Sequence, residues 1–266
     1  MYRFYLNISN LTISKKIQMS NDKNTHNSDY TKAWNLLKWE PNKKQLTHFI
    51  QFQKFLKEWN KKTNLSRLIE GDDFWISQVC DSLLPLQEEL KYSDSSNKYI
   101  DIGSGCGFPG IALAIAIPNS HITLLDSSRK KTTFLIEASR ELRLDSRITV
   151  INARAESLGK ETNFRGEFDY SIARAVAPST VVAEYLVPFL NSSGQALIYK
   201  GIWSQTEQQI LKKALTQLNA EITQTHNYEL PNSRGVRNII RISTTKECPT
   251  QYPRSIGTPK KKPLGY

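Results

Sequence analysis

The chain has 266 residues, enough for one medium domain with appendages or two small ones, and 39% of them are hydrophobic, so a sizeable core can form. No apolar run approaches the roughly 18 residues that a membrane span needs, which argues against a membrane partner. The formal charge of +11 points instead to a polyanion, nucleic acid being the usual one, with a merely basic protein as the bland alternative.

Residues 1–29 read as an extension. They lack a secretory apolar core and cleavage site. Ser20 to Tyr30 is polar and unpatterned, so disorder is expected there. Both methionines of the chain, Met1 and Met19, lie in this stretch, and a start at Met19 would make the first 18 residues an artefact. A targeting peptide is the lesser alternative.

Residues 30–95 read as a helical subdomain. From Lys43 to Asn60 the residues Leu46, Phe49, Ile50, Phe55, Leu56 and Trp59 recur mostly at helical spacing. Pro41 and Asn42 suit its start. A second helix is predicted over 72–84, opened by acidic residues that favour a helix N-terminus. Ser93 to Ser96 is turn-like and marks a boundary.

Residues 96–245 then alternate between strands and helices. Strands are predicted at 99–102, 121–125, 148–152, 168–172, 196–200, 222–228 and 237–242. Helices fall at 111–117, 130–144, 181–189 and 206–218. This alternation predicts an α/β domain, a mostly parallel sheet with helices on both faces. Prolines at 249, 253, 259 and 263 predict an extended tail over 246–266.

The chemistry concentrates after the first strand, where Asp101 opens D-I-G-S-G-C-G-F-P-G. Gly103, Gly105 and Gly107 allow positive φ and a close ligand approach at the carboxyl end of a strand. Asp101 supplies an acceptor that can orient the loop or meet an ammonium group. Gly105, Gly107 and Gly110 also match the dinucleotide fingerprint. However, the turn begins at Gly103, and an acid two residues before the first glycine is typical of methyltransferases. Asp126 ends the second strand, nineteen residues after Gly107. Its carboxylate can take both ribose hydroxyls of an adenosine. It can equally cap the helix that Ser127 and Ser128 precede. Ala155 and Glu156 follow the third strand, where a loop could line an adenine. Taken alone, Glu156 reads as a solvated surface residue.

With these pieces in place the chain resembles the RsmG (GidB) family, the small-subunit rRNA guanine-N7 methyltransferases. The resemblance runs from about Phe55 to Leu264. It includes K-E-W-N-K-K-T-N-L from Lys57, D-S-L from Asp81, the glycine loop, L-L-D-S-S-R-K-K from Leu124, A-R-A-E from Ala153 and A-R-A-V-A from Ala173. It also includes K-G at Lys200 and the tail Y-P-R-S-I-G-T-P-K-K-K-P-L from Tyr252. It implies a Rossmann-like S-adenosylmethionine-dependent methyltransferase fold with a seven-stranded sheet behind the N-terminal helices. It implies cofactor contacts at Gly103 and Phe108, ribose and adenine contacts at Asp126, Ser127, Ser128, Ala155 and Glu156, and Arg174 at the reaction centre. The implied target is a guanine in the 530 loop of 16S rRNA, conventionally position 527. The partner would be 16S rRNA or the small subunit, and the enzyme a cytoplasmic monomer. The family often has Arg-His shortly before D-S-L; Ser77 and Gln78 stand there in this chain.

Guanine N7 has a free lone pair, so in-line methyl transfer needs orientation and no general base. Arg174 cannot be a base at neutral pH. It can bind a phosphate or the methionine carboxylate, or stack on a base. Adenine amino-group methylases usually carry Asn/Asp-Pro-Pro-aromatic where this chain has I-A-R-A-V, and cytosine C5 enzymes need a thiolate. Cys80, Cys106 and Cys248 have no C-x-x-C spacing and fit a reducing cytoplasm; no metal site is expected. Arg129, Lys130, Lys131, Lys200, Arg254, Lys260, Lys261 and Lys262 are the candidate RNA contacts, with Lys57, Lys61 and Lys62 on the helical subdomain. Tyr252 and Leu264 are expected to fasten the tail, away from the cofactor. The class alternatives are a methyltransferase-like module that binds RNA or assists ribosome assembly without catalysis, and a dehydrogenase.

Overall fold

A computed structural model describes residues 30–92 and 96–266. The extension over 1–29, with Met19, and Ser93 to Ser95 of the boundary lie outside the described residues. Helix α1 spans Thr31–Leu37 and α2 spans Lys43–Asn60. Asn42 and Gln45 cap α2 reciprocally: each side-chain oxygen accepts the other's backbone N–H, at 3.0 and 2.9 Å. The buried stripe of α2 is Phe49, Phe52 and Leu56. Ile50, expected in that stripe, is half exposed, because Phe52 sits on the inner face in its place.

The single helix predicted over 72–84 is a longer composite run. It comprises α3 (Gly71–Phe74), a π-helical turn (Trp75–Cys80), α4 (Asp81–Leu83), a 3₁₀ turn (Leu84–Leu86) and α5 (Gln87–Lys91). Pro85 sits in the 3₁₀ turn. It lacks the N–H that a continuous helix would need there.

The sheet follows as β1 (Lys98–Ile102), α6 (Gly110–Ala116), β2 (His121–Leu125), α7 (Arg129–Glu141), β3 (Ile148–Ile151), α8 (Ala155–Leu158), β4 (Phe168–Arg174) and α9 (Ser179–Leu186). It ends with β5 (Leu190–Lys200), α10 (Gln205–Gln217), β6 (Ala220–Glu229) and β7 (Val236–Thr244). The strand order is β3-β2-β1-β4-β5-β7-β6. Pairings from β3 through β5 are parallel, and β7 runs antiparallel to both β5 and β6. The chain winds one way from β1 through β3 and the other way from β4. The crevice beyond the carboxyl ends of β1 and β4 is therefore the switch point where such sheets bind ligands.

Helices cover both faces. On one face α2 shares its core with the sheet helices: Phe52 lies 5.2 Å from Phe108, and Phe55 lies 5.8 Å from Phe134 of α7. Burying one such ring stabilises the fold by about 1.5–3 kcal/mol. The other face holds α8, α9 and α10 over Ile100, Ile198 and Ile240.

Residues 246–266 do not form an extended tail. Helix α11 spans Thr258–Lys261, and Cys248, Tyr252, Pro259 and Leu264 are buried. Tyr252 and Leu264 do fasten the segment, as expected. The physical reason for the docking lies far away in sequence. The Arg165 guanidinium donates to the carbonyls of Cys248, Pro249 and Tyr252 at 2.6–3.1 Å. The fully buried Glu184 of α9 accepts from the Arg254 backbone and guanidinium.

Candidate active site

The glycine loop is pinned from both sides. The Asp126 carboxylate, at the end of β2, accepts the N–H of Gly105 at 3.0 Å and of Ser128 at 2.8 Å. One carboxylate thus ties the glycine loop to the turn that leads into α7. At Gly103, φ is +75°, and a Cβ would lie 2.8 Å from Val176 Cγ2. The loop after β1 can approach the end of β4 only without a side chain. Gly110 packs α6 on the sheet: a Cβ there would collide with Leu124 and come within 2.8 Å of Asp101 Oδ2.

Asp101 sits behind this loop and is 1% exposed. Its Oδ2 accepts the Gly110 N–H at 2.9 Å, while Oδ1 has no partner among the described residues. Burial pushes its carboxyl up to about 7, against the pull of the Gly110 N–H. A buried oxygen without a donor is costly, and a bound cation would satisfy it.

Two clefts open at the switch point. One, of about 240 Å³, is lined by Gly103, Asp126, Ser127, Lys131, Arg154, Ala155, Glu156, Tyr185 and Lys260, among others. The second, of about 690 Å³, is bordered by Ser77, Gln78, Asp81, Arg174, Tyr199, Lys200 and Arg237. Ala175 and Val176, just beyond β4, line both. Arg174 stands at this junction. Its Nη1 donates to Ser77 O and Asp81 Oδ2, both at 3.0 Å, and its Nη2 donates to Gln78 Oε1. Three of its five N–H donors are used, which leaves two for a ligand. Its guanidinium carbon lies 5.8 Å from the Phe108 ring centroid.

The expected residues thus divide. Gly103, Asp126, Ser127, Ala155 and Glu156 meet in the smaller cleft. Ser128 stands at the N-cap position of α7 without a capping side-chain bond, and Gly105 is bound to Asp126. Gly107 backs onto Ile111 and Phe52. The Phe108 side chain turns into the aromatic core against Phe52 and Phe74 and supports Arg174 from below. Glu156 is buried and not a solvated surface residue, because the Tyr185 hydroxyl and the Gly257 N–H both donate to it.

The basic residues divide too. Arg129, Lys130, Lys261 and Lys262 are exposed. Lys131 is 3.8 Å from Asp126, and Lys200 pairs with Glu207 at 3.0 Å. Lys57 and Lys61 pair with Glu70 and Glu58, while Lys62 is exposed. Arg254 is taken from the expected RNA surface by its ion pair with Glu184, at 2.6 Å.

Ser77 and Gln78, where the resemblance departs, are buried in the π-helical turn and both hold Arg174. Sequence reading missed this clamp, together with Asp81 and Arg237, whose Nε lies 2.9 Å from Asp81 Oδ1. The D-S-L motif was the available signal. Among the described residues no cluster suits a metal ion, and no helix is long and apolar enough to cross a membrane.

A family model described as GidB, rRNA small subunit methyltransferase G, matches residues 45–238. Ribosomal RNA small subunit methyltransferase G of Prochlorococcus marinus strain NATL2A is 68% identical over 248 residues, 93% of this chain and 100% of that protein. The protein of the same name from Synechococcus sp. strain WH7803 is 45% identical over 87% of this chain and 91% of its own length. Among solved structures, M. capricolum TrmK in complex with S-adenosyl-homocysteine has a TM-score of 0.45 at 15% identity, over 59% of this chain and 68% of that one. On the family match, which spans well over half of the sequence, the chain belongs to the rRNA small subunit methyltransferase G family.

Proposed function

We propose that the protein transfers the methyl group of S-adenosylmethionine to N7 of a guanine in the 530 loop of 16S rRNA, conventionally position 527. The observation that carries this reading is the pair of clefts meeting at Ala175 and Val176, beside Arg174. The smaller takes the cofactor and the larger the flipped base, so that nucleophile and methyl group meet at the carboxyl edge of β4.

Among the described residues, the larger cleft also presents no unpaired carboxylate or imidazole to act as a base. The described residues that line it include no His or Cys, and its carboxylates, Asp81 and Glu207, are held in ion pairs. The Tyr199 hydroxyl donates to Ser82 O at 2.7 Å, and burial raises its pKa well above the usual phenol range. Such a site suits a nucleophile that loses no proton, as guanine N7 does. Burial raises the pKa of all three thiols, Cys248 to about 11, so none suits the thiolate route to cytosine C5. The test is to incubate the protein with labelled cofactor and 16S rRNA or small subunits. Label should appear in 7-methylguanosine. Cofactor binding without transfer to either RNA form would favour the non-catalytic, RNA-binding module.

The chain's own residues fit the cofactor. Asp126 lines the smaller cleft, and each of its oxygens, already accepting one backbone N–H, has a further lone pair for a ribose hydroxyl. Charge-assisted hydrogen bonds contribute about 1.5–3 kcal/mol each, so Asp126→Ala should weaken cofactor binding roughly tenfold or more by calorimetry. Unchanged affinity would leave Asp126 as an anchor of the glycine loop and the following turn only.

Asp101 Oδ1 suits the methionine ammonium. Its carboxyl titrates near 7, against 3.8 when unperturbed, so the folded apo protein holds this proton more tightly than the unfolded chain. That contribution to stability is complete below about pH 4 and lost as pH rises through about 7. An ammonium favours the ionised form. Cofactor binding near pH 6 should therefore release a proton, seen as a dependence of binding heat on buffer ionisation enthalpy. Asp101→Asn should abolish it. Undiminished release from that variant would assign the proton to another group.

A further inference from the structure

The C-terminal segment reaches the cofactor cleft. Two buried carboxylates bring it there. Glu184 accepts the Arg254 N–H at 2.8 Å and the Arg254 guanidinium at 2.6–3.2 Å. Glu156, itself a wall of the cleft, accepts the Gly257 N–H at 3.0 Å. Beyond α11 the chain is held again. Leu264 is buried, and Gly265 lies so close to α10 that a Cβ would collide with the Ile210 carbonyl oxygen.

All three consecutive lysines between these anchors are exposed, but only one of them borders the cleft. Lys260 lines the cofactor cleft together with Asp126, Ser127, Ala155 and Glu156. It also borders an adjoining cavity of about 320 Å³ against Val176, Pro178 and Pro263. Lys261 and Lys262 line neither. Lys260 pairs with no carboxylate among the described residues.

We propose that the C-terminal segment is the outer wall of the cofactor cleft and that Lys260 contacts the cofactor, donating to acceptors of the adenosine moiety. The proposal rests on the cofactor assignment made above. The ribose and adenine offer several acceptor oxygens and nitrogens, and an ammonium offers three donors on a flexible stem. Lys260 therefore leaves the group of RNA contacts, and Lys261 and Lys262 remain in it.

An ammonium in this cleft has an electrostatic consequence that a packing role would not have. S-adenosylmethionine carries one more positive charge than S-adenosylhomocysteine, on its sulfonium. Lys260 should therefore repel the first more than the second, and the difference should shrink with added salt.

The test is calorimetric titration of the full-length protein with each compound, without RNA, at low and high salt. Lys260→Gln should bind S-adenosylhomocysteine roughly tenfold more weakly, with a smaller loss for S-adenosylmethionine. Lys260→Arg should recover most of the affinity. The double variant Lys261→Gln/Lys262→Gln should bind both as the parent does. Because Lys260 is exposed, the melting temperature of each variant should match the parent. Parental affinity in Lys260→Gln would overturn the proposal, as would equal losses for the two compounds. A parent protein that binds neither compound would instead bring down the cofactor assignment itself.

Discussion

Replacing Arg174 with lysine should lower the rate of methyl transfer to rRNA by about 10²–10³-fold, the scale on which single preorganised donors act. The charge survives, but the geometry does not. The guanidinium spans Ser77 O, Asp81 and Gln78 and still has two N–H donors for a ligand. An ammonium has three donors on one atom, cannot bridge those acceptors and face the cleft together, and cannot stack flat on a base. Arg174→Ala should lose at least as much. Stability should fall less than activity, because Asp81 keeps Arg237 at 2.9 Å and is not left as an unpaired buried charge. The measurement is single-turnover methylation of rRNA, alongside a melting curve. A lysine variant of near-parental rate would reduce Arg174 to an ion pair that closes the helical run onto β4.

The second large effect is on stability. Arg254→Ala should destabilise the protein by about 3–5 kcal/mol, because it strands the fully buried Glu184 carboxylate without its counter-charge. For a chain of this size that corresponds to a fall of roughly 10 °C in melting temperature. Glu184→Gln should cost less, since Arg254 is about a quarter exposed and can turn to water. The double variant Arg254→Ala/Glu184→Gln should regain part of the loss, because the buried charge is gone. An RNA-contact role for Arg254 predicts the opposite pattern: unchanged melting, weaker rRNA binding and a flatter salt dependence. Thermal melts of the three variants separate the two.

What could be read in the sequence was what local chemistry dictates. Glycines at 103, 105 and 107 are demanded by backbone conformation within a few residues, and the alternation of strands and helices follows from local periodicity. Asp126 announced itself by its place at a strand end, but that its carboxylate holds the Gly105 and Ser128 N–H groups, with no side-chain cap on α7, depends on how the two loops meet in space. Long-range pairings were invisible. Arg174 and Asp81 are 93 positions apart, and Arg254 and Glu184 are 70. One signal was available for the second pair. Glu184 stands inside the otherwise apolar stretch Val181 to Leu186, where a lone acid calls for a partner. Prolines in the last segment suggested an extended chain, yet the same residues pack well in turns once buried carboxylates hold the backbone.

The most direct test of the central claim reads the modified base itself. Borohydride reduction followed by aniline cleaves RNA at 7-methylguanine, and primer extension through the 530 loop then reports a stop. Ribosomal RNA from the parent strain should give that stop at the conventional position 527. A strain lacking this gene should lose it, and regain it with the intact gene but not with the Arg174→Ala variant. A stop that persists in the deletion strain would contradict the assignment of this protein as the enzyme that methylates that guanine.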